Sequence, residues 1–119
     1  MSAIAEAIEL ARTGNSRAAA DLLQGQFETL QTPERMVELC EWIATCFEGL
    51  DDHVQAGNWY EMAGELILAE RSAIYPVRAI RAVDEYEKAL SCYLRAMEVE
   101  FVERCNEVVR ELRSSCASS

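Results

Sequence analysis

The chain reads as an all-α protein built from three antiparallel helical hairpins and a C-terminal capping helix. Three observations predict this. Ala, Glu, Leu and Arg dominate, with only 5 Gly and 2 Pro in 119 residues, a composition that favours helix. Apolar positions recur at three- and four-residue spacing between short breaks. A small pattern also returns three times: an alanine followed four residues later by a bulky residue, and twice by another alanine three further on. The instances are Ala19/Leu23, Ala56/Tyr60/Ala63 and Ala89/Tyr93/Ala96, at intervals of 37 and 33 residues. A period of that size is one helical hairpin, a unit that buries its apolar face only by stacking on a neighbour.

The first helix runs from a Ser2 cap to about Arg12, with Ile4, Ala7, Ile8 and Ala11 on one face. Thr13-Gly14-Asn15 ends it, Gly14 being free to turn left-handed. Asn15 or Ser16 caps a second helix, Arg17 to Leu30, carrying Ala19, Ala20, Leu22, Leu23 and Phe27. Thr32-Pro33-Glu34 restarts the chain with a capping hydroxyl, a proline in the first helical position and an early acid. The third helix continues to about Glu48, and Gly49 stops it. Asp51 or Asp52 caps the fourth, about His53 to Glu70, with Gln55 completing a capping-box pattern. Gly57 and Gly64 lie seven residues apart on one face of that helix. Each costs about 1 kcal/mol against alanine in a helix interior, so they predict close approach of a neighbouring helix.

The next start falls at Ser72 or at Pro76 itself, with Tyr75 pushed extended. From Pro76 to Leu112 there is neither Gly nor Pro, so one long helix is the alternative to a hairpin. Asp84-Glu85-Tyr86-Glu87 has the form of an acid cap. It lies five residues before Ala89, as Asp51 precedes Ala56 and Gly14 precedes Ala19, and this matched offset predicts a turn at Asp84. The expected hairpins span about 2–31, 33–70 and 72–99, and the capping helix about 100–113. Phe101, Val102, Cys105, Val108, Val109 and Leu112 form the stripe of that last helix. Residues 1–113 make one domain, and 114–119 a frayed tail.

The net charge is −10 and the pI near 4.5, which argues against duplex nucleic acid and anionic membrane as partners. One lysine, Lys88, stands against ten arginines, a bias with no reason visible in the sequence. No apolar run approaches the ~20 residues of a membrane span. Met1–Leu10 carries Glu6 and Glu9 and lacks the features of a signal peptide. Cys40, Cys46, Cys92, Cys105 and Cys116 include no CxxC pair. A cytoplasmic location fits, with cysteines as small core residues.

Enzyme chemistry finds little footing. His53, the only histidine, reads as a solvent-facing turn residue, and no convergent partners can be named for a triad or a metal site. Cys40 and Cys46 fall on different faces of their helix. There is no phosphate-binding or dinucleotide glycine motif. The expectation is a protein that is not an enzyme, with no cofactor and no metal. Trp59, Tyr60, Tyr86 and Tyr93 read as core.

The segments Ala56-Gly-Asn-Trp59-Tyr60-Glu-Met-Ala63 and Ala89-Leu-Ser-Cys92-Tyr93-Leu-Arg-Ala96 resemble the second helices of the tetratricopeptide repeat family. Ala7, Ala44 and Val77, twelve residues earlier, and Leu10, Phe47 and Ile80, nine earlier, are similar to its small and large positions. The resemblance covers about residues 2 to 99. It departs at Gln26, where alanine is usual, at Pro76, and in lacking the inter-repeat prolines. It implies a right-handed superhelical stack whose first helices line a concave groove. Mapped onto this chain, the groove would offer Ile4, Ile8 and Arg12, then Glu38, Glu41, Thr45 and Glu48, then Arg71, Ile74, Arg78 and Arg81. Ile4, Ile8 and Glu41 replace the polar ligands of the carboxylate clamp in chaperone-binding members. The implied function is non-catalytic protein–protein interaction, as an adaptor, scaffold or small chaperone, taking a peptide or helix that carries both charge signs. The alternative is a helical bundle that self-assembles through its C-terminal helices, its partner then being a second copy.

Overall fold

Local capping chemistry places most helix boundaries. The computed structural model describes residues 3–29, 31–70 and 74–117, and these form six helices: α1 (Ala3–Arg12), α2 (Ser16–Phe27), α3 (Pro33–Gly49), α4 (His53–Ala69), α5 (Tyr75–Ala96) and α6 (Val99–Ala117). No strand occurs among the described residues. Asn15 caps α2 by accepting from the Ala18 amide at 3.3 Å, Thr32 caps α3 through Arg35 at 3.2 Å, and Asp52 caps α4 through Gln55 at 3.2 Å. Each side-chain oxygen satisfies an amide that the first helical turn leaves unpaired. Ser2, Leu30 and Ser72, expected at helix ends, lie outside the described residues.

The predicted turn at Asp84 is absent: α5 runs unbroken through it, so the third hairpin is not 72–99 but α5 with α6. An acidic cap works only where amides are orphaned. In the middle of α5 every amide already bonds one turn back, and no Gly or Pro interrupts the run. The chain reverses instead at Met97, which is left-handed at φ 59°. There the Glu98 amide reaches back to the Tyr93 carbonyl at 3.0 Å and the Met97 amide to Leu94. The same closure stands at Gly14, with Asn15 bonding Leu10, and at Asp51, with Asp52 bonding Phe47. These are Schellman turns. They fall at 14, 51 and 97, so the true counterpart of Ala19 and Ala56 is Val102, and Ala89 was matched one helix too early.

Two smaller expectations also shift. Tyr75 is the first helical residue of α5, with Pro76 in its first turn, and the extended residue is Ile74 (ψ 149°). Residues 114–117 continue α6 rather than fraying.

Consecutive helices pack against one another, and α1 also touches α3. Phe27 of α2 meets Trp59 of α4 edge to face at 5.2 Å. Arg104 of α6 pairs with Glu61 of α4. Lys88 of α5 reaches Glu41 of α3. The odd helices therefore form one layer and the even helices the other, in a slab of 46 × 35 × 19 Å whose thickness is about two helix diameters.

The tightest seam is α4 on α5. A Cβ added at Gly57 would sit 2.6 Å from Tyr93 Cε1, and one at Gly64 2.7 Å from Tyr86 Cε2. The expected neighbour of the glycine face is thus α5, with tyrosine rings lying directly on the α4 backbone. Ala56, Ala63, Ala82, Ala89 and Tyr93 are fully buried along this seam. The Tyr93 hydroxyl lies 2.6 Å from Asn58 Oδ1 and also within bonding reach of Glu61, and its ring meets Phe101 of α6 at 5.0 Å. Cys105, Val109 and Leu112 are buried beneath α6, the cap expected of this stripe.

Candidate functional site

The residues singled out in the sequence belong mostly to the odd layer, on α3 and α5. Helical spacing sets Glu38, Glu41, Thr45 and Glu48 along one side of α3. Glu38 pairs with Arg35 of its own helix at 3.2 Å. Thr45 is exposed, its hydroxyl donating to the Glu41 carbonyl at 2.9 Å. Glu48 is turned inward: it accepts from the Tyr60 hydroxyl at 3.1 Å and from the Cys92 thiol at 3.4 Å, joining α3, α4 and α5. Both donors remain protonated, because burial pushes Tyr60 and Cys92 up to about 12.

On α5 the predicted basic row divides. Arg81 is exposed beside Pro33, Glu34 and Val37 of α3. Arg78 is turned into the protein, donating to the Leu68 carbonyl at the end of α4 and lying 5.5 Å from the centre of the Tyr75 ring. That carbonyl has no partner within its own helix, so Arg78 acts as a C-terminal clamp for α4. Arg71 lies outside the described residues. Ile74 is 69% exposed. Among the described residues no ion pair joins Glu38, Glu41 or Glu48 to Arg78 or Arg81.

The charges do meet, at a residue not assigned to the site. Lys88 Nζ stands 3.3 Å from Asp84, 3.6 Å from Glu85 and 3.7 Å from Glu41, and 5.8 Å from the centre of the Tyr60 ring. Burial, and then Glu41, push Glu85 up to about 8. The chain's only lysine is thus the hub of a polar seam between α3 and α5. Its isolation in composition was the one sequence signal for it, since the register of α3 against α5 cannot be read from either helix alone.

Beside this seam the outer side of α5 is apolar. Ile74, Tyr75, Val77 and Ile80 are between 42% and 69% exposed. Val77, Ile80, Asp84 and Lys88 follow one another at three- and four-residue spacing, as do Val77, Arg81, Asp84 and Lys88, so the apolar end runs directly into the charged seam. At the other end of the layer Ile8 is exposed and Ile4 half-buried.

Cys40, Cys46, Cys92 and Cys105 are buried. Burial raises all four thiols, Cys40, Cys92 and Cys105 to about 12, which suppresses the nucleophilic thiolate. His53 is half-buried at the start of α4 rather than solvent-facing, with Nδ1 enclosed. Among the described residues no three His, Cys, Asp or Glu side chains converge as a metal site, and no helix is long and apolar enough to cross a membrane. No protein-family model, curated protein or solved structure matches this chain.

Proposed function

We propose that the protein is a non-catalytic interaction module of tetratricopeptide-like design, and that the layer formed by α1, α3 and α5 is its docking face. The observation that carries this reading is the run of large apolar side chains left exposed on α5 beside a cluster of fixed charges. A chain that buries Tyr93, Leu23 and Ile43 completely has the means to cover its apolar surface, so a contiguous exposed apolar patch calls for an occupant. The occupant proposed is an amphipathic peptide or helix of another protein. Its apolar face would anchor on Val77 and Ile80, and its charges of both signs would face Arg81 on one side and Glu41 and Asp84 on the other. Helix-in-groove recognition uses such anchors at three- and four-residue spacing, while rim charges set encounter rate and orientation. Adaptor, scaffold and small-chaperone roles all rest on a face of this kind.

The test uses a synthetic amphipathic peptide with leucines on one face and lysine and glutamate at opposite ends of the other. Fluorescence anisotropy should show saturable binding that weakens with salt and is lost in Ile80→Asp. Equal binding to a scrambled peptide, or unchanged binding by Ile80→Asp, would remove the reading. The second reading, self-association through α5, also draws on the exposed Ile80. It predicts a concentration-dependent dimer in sedimentation equilibrium that Ile80→Asp abolishes, whereas the docking-face reading predicts a monomer in both.

A further inference from the structure

We propose that Glu85 of α5 keeps a proton on its enclosed carboxyl oxygen and donates it to Glu41 of α3, so that the α3–α5 boundary is a latch that holds while the proton is present and loosens when it leaves. This stands apart from the docking-face reading, although the latch lies within that face.

Glu85 is only 3% exposed. Its Oε1 faces Lys88, but its Oε2 is enclosed without a donor. A buried carboxylate oxygen with no donor is costly. The cost disappears if Oε2 carries a proton, because the group then donates instead of accepting, and the Glu41 carboxylate, held to the same ammonium, is the acceptor across the seam. Charge counting leads to the same arrangement. Glu41, Asp84 and Glu85 surround one ammonium, Lys88; with the proton the cluster carries a net charge of −1, and without it −2. Two carboxylates facing each other in a half-buried site favour one shared proton.

Among the described residues, the titratable and charged groups acting on Glu85 are Glu41 and the Cys40 thiol from α3 and Asp84 and Lys88 from α5 itself, while from α4 the Tyr60 ring lies beneath Lys88. Burial holds Cys40 and Tyr60 up at about 12, so neither titrates near neutrality. Burial acts first and Glu41 second to bring Glu85 to about 8. The step is the loss of one proton from Glu85 Oε2 to solvent. It leaves the two carboxylates repelling across the seam, with Lys88 unable to neutralise both. The α3–α5 boundary then loses one of its direct links and is held by the Lys88–Glu41 pair and the Cys92–Glu48 bond alone among its described polar contacts.

Two measurements test this. In protein labelled with 13C at glutamate side-chain carboxyls, one resonance, absent from Glu85→Gln, should titrate near pH 8, and Glu41→Gln should move that midpoint towards acid. The urea midpoint of the parent should fall as pH rises from 5 to 9, while Glu85→Gln, which donates without titrating, should hold its midpoint over that interval. A Glu85 carboxyl that titrates in the ordinary carboxylate range, a midpoint indifferent to Glu41→Gln, or a Glu85→Gln profile parallel to the parent's would each overturn the proposal. If Glu85→Gln does not fold, the carbon titration of the parent, assigned through the backbone, and its response to Glu41→Gln decide the matter.

Discussion

Replacing Gly57 by alanine should destabilise the protein, although the same change in an open helix stabilises it. In a helix interior alanine is favoured over glycine by about 1 kcal/mol, so an unobstructed site would gain. At Gly57 the new Cβ would meet Tyr93 Cε1, Cζ and Cδ1 at 2.6, 2.8 and 2.9 Å, roughly 1 Å inside the optimal carbon–carbon separation. Tyr93 has no room to retreat. It is fully buried, held at its hydroxyl by Asn58 and Glu61, and stacked edge to face on Phe101. Relieving the clash requires α4 and α5 to separate, and overpacking of this kind costs about 1–3 kcal/mol. Set against the propensity gain of about 1 kcal/mol, the net loss should be up to about 2 kcal/mol, or up to roughly 8 °C in Tm for a domain near this size. Gly25, exposed near the end of α2 with no atom within 4 Å of its would-be Cβ, is the internal control, and Gly25→Ala should gain up to about 0.5–1 kcal/mol. Urea unfolding of both variants, with the slope checked for constancy, gives the answer. If Gly57→Ala shifts the midpoint upward as Gly25→Ala does, the α4–α5 seam is wider than the geometry requires, and the reasoning fails.

Met97→Gly should raise the unfolding free energy by about 0.5–1 kcal/mol, and with it the urea midpoint, because Met97 is left-handed and 84% exposed and a side chain in that conformation costs roughly 1–2 kcal/mol. A lowered midpoint would show that the Met97 side chain packs. Stability should also depend on pH with a definite sign. Glu85 sits higher folded, at about 8, than its ordinary 4.5, so the folded state binds the extra proton between those values. The stabilisation is complete below about 4.5 and is lost as pH rises through 8, a fall on the order of a few kcal/mol. A urea midpoint rising over the same interval would contradict this. Deleting residues 99–119 should uncover Tyr93 and the α5 surface that Cys105, Val109 and Leu112 now cover, giving strong dye binding or aggregation. A truncated chain melting like the parent would make α6 an appendage.

What could be read in the sequence follows how far the responsible physics reaches along the chain. Thr32-Pro33, Gly14-Asn15 and Asp52 were legible because a cap is an interaction over three residues, and the amphipathic faces were legible because helical spacing is local. The Gly57/Gly64 pair pointed to a close neighbour without naming it. Asp84 misled because its offset from Ala89 copied the earlier repeats, while the actual reversal at Met97-Glu98 has no turn residue to announce it. Once the third hairpin moved, Tyr93 became the counterpart of Leu10 and Phe47, whose carbonyls close the first two turns. The seam of Glu41, Glu85 and Lys88 was out of reach for another reason. Its members are 44 and 47 positions apart, and only the parallel register of α3 beside α5 brings them together.

The central claim, that the α1–α3–α5 layer is a docking face, is tested most directly by mapping where a probe lands. Amide proton–nitrogen spectra of the 15N-labelled protein should be recorded during titration with the amphipathic leucine, lysine and glutamate peptide. Saturable shifts should concentrate on α1, on α3 around Glu41 and on α5 from Val77 to Lys88, and should be lost in Ile80→Asp while the rest of the spectrum keeps its folded dispersion. Shifts concentrated on α2, α4 and α6, or resonances that do not move as the peptide is added, would contradict that claim.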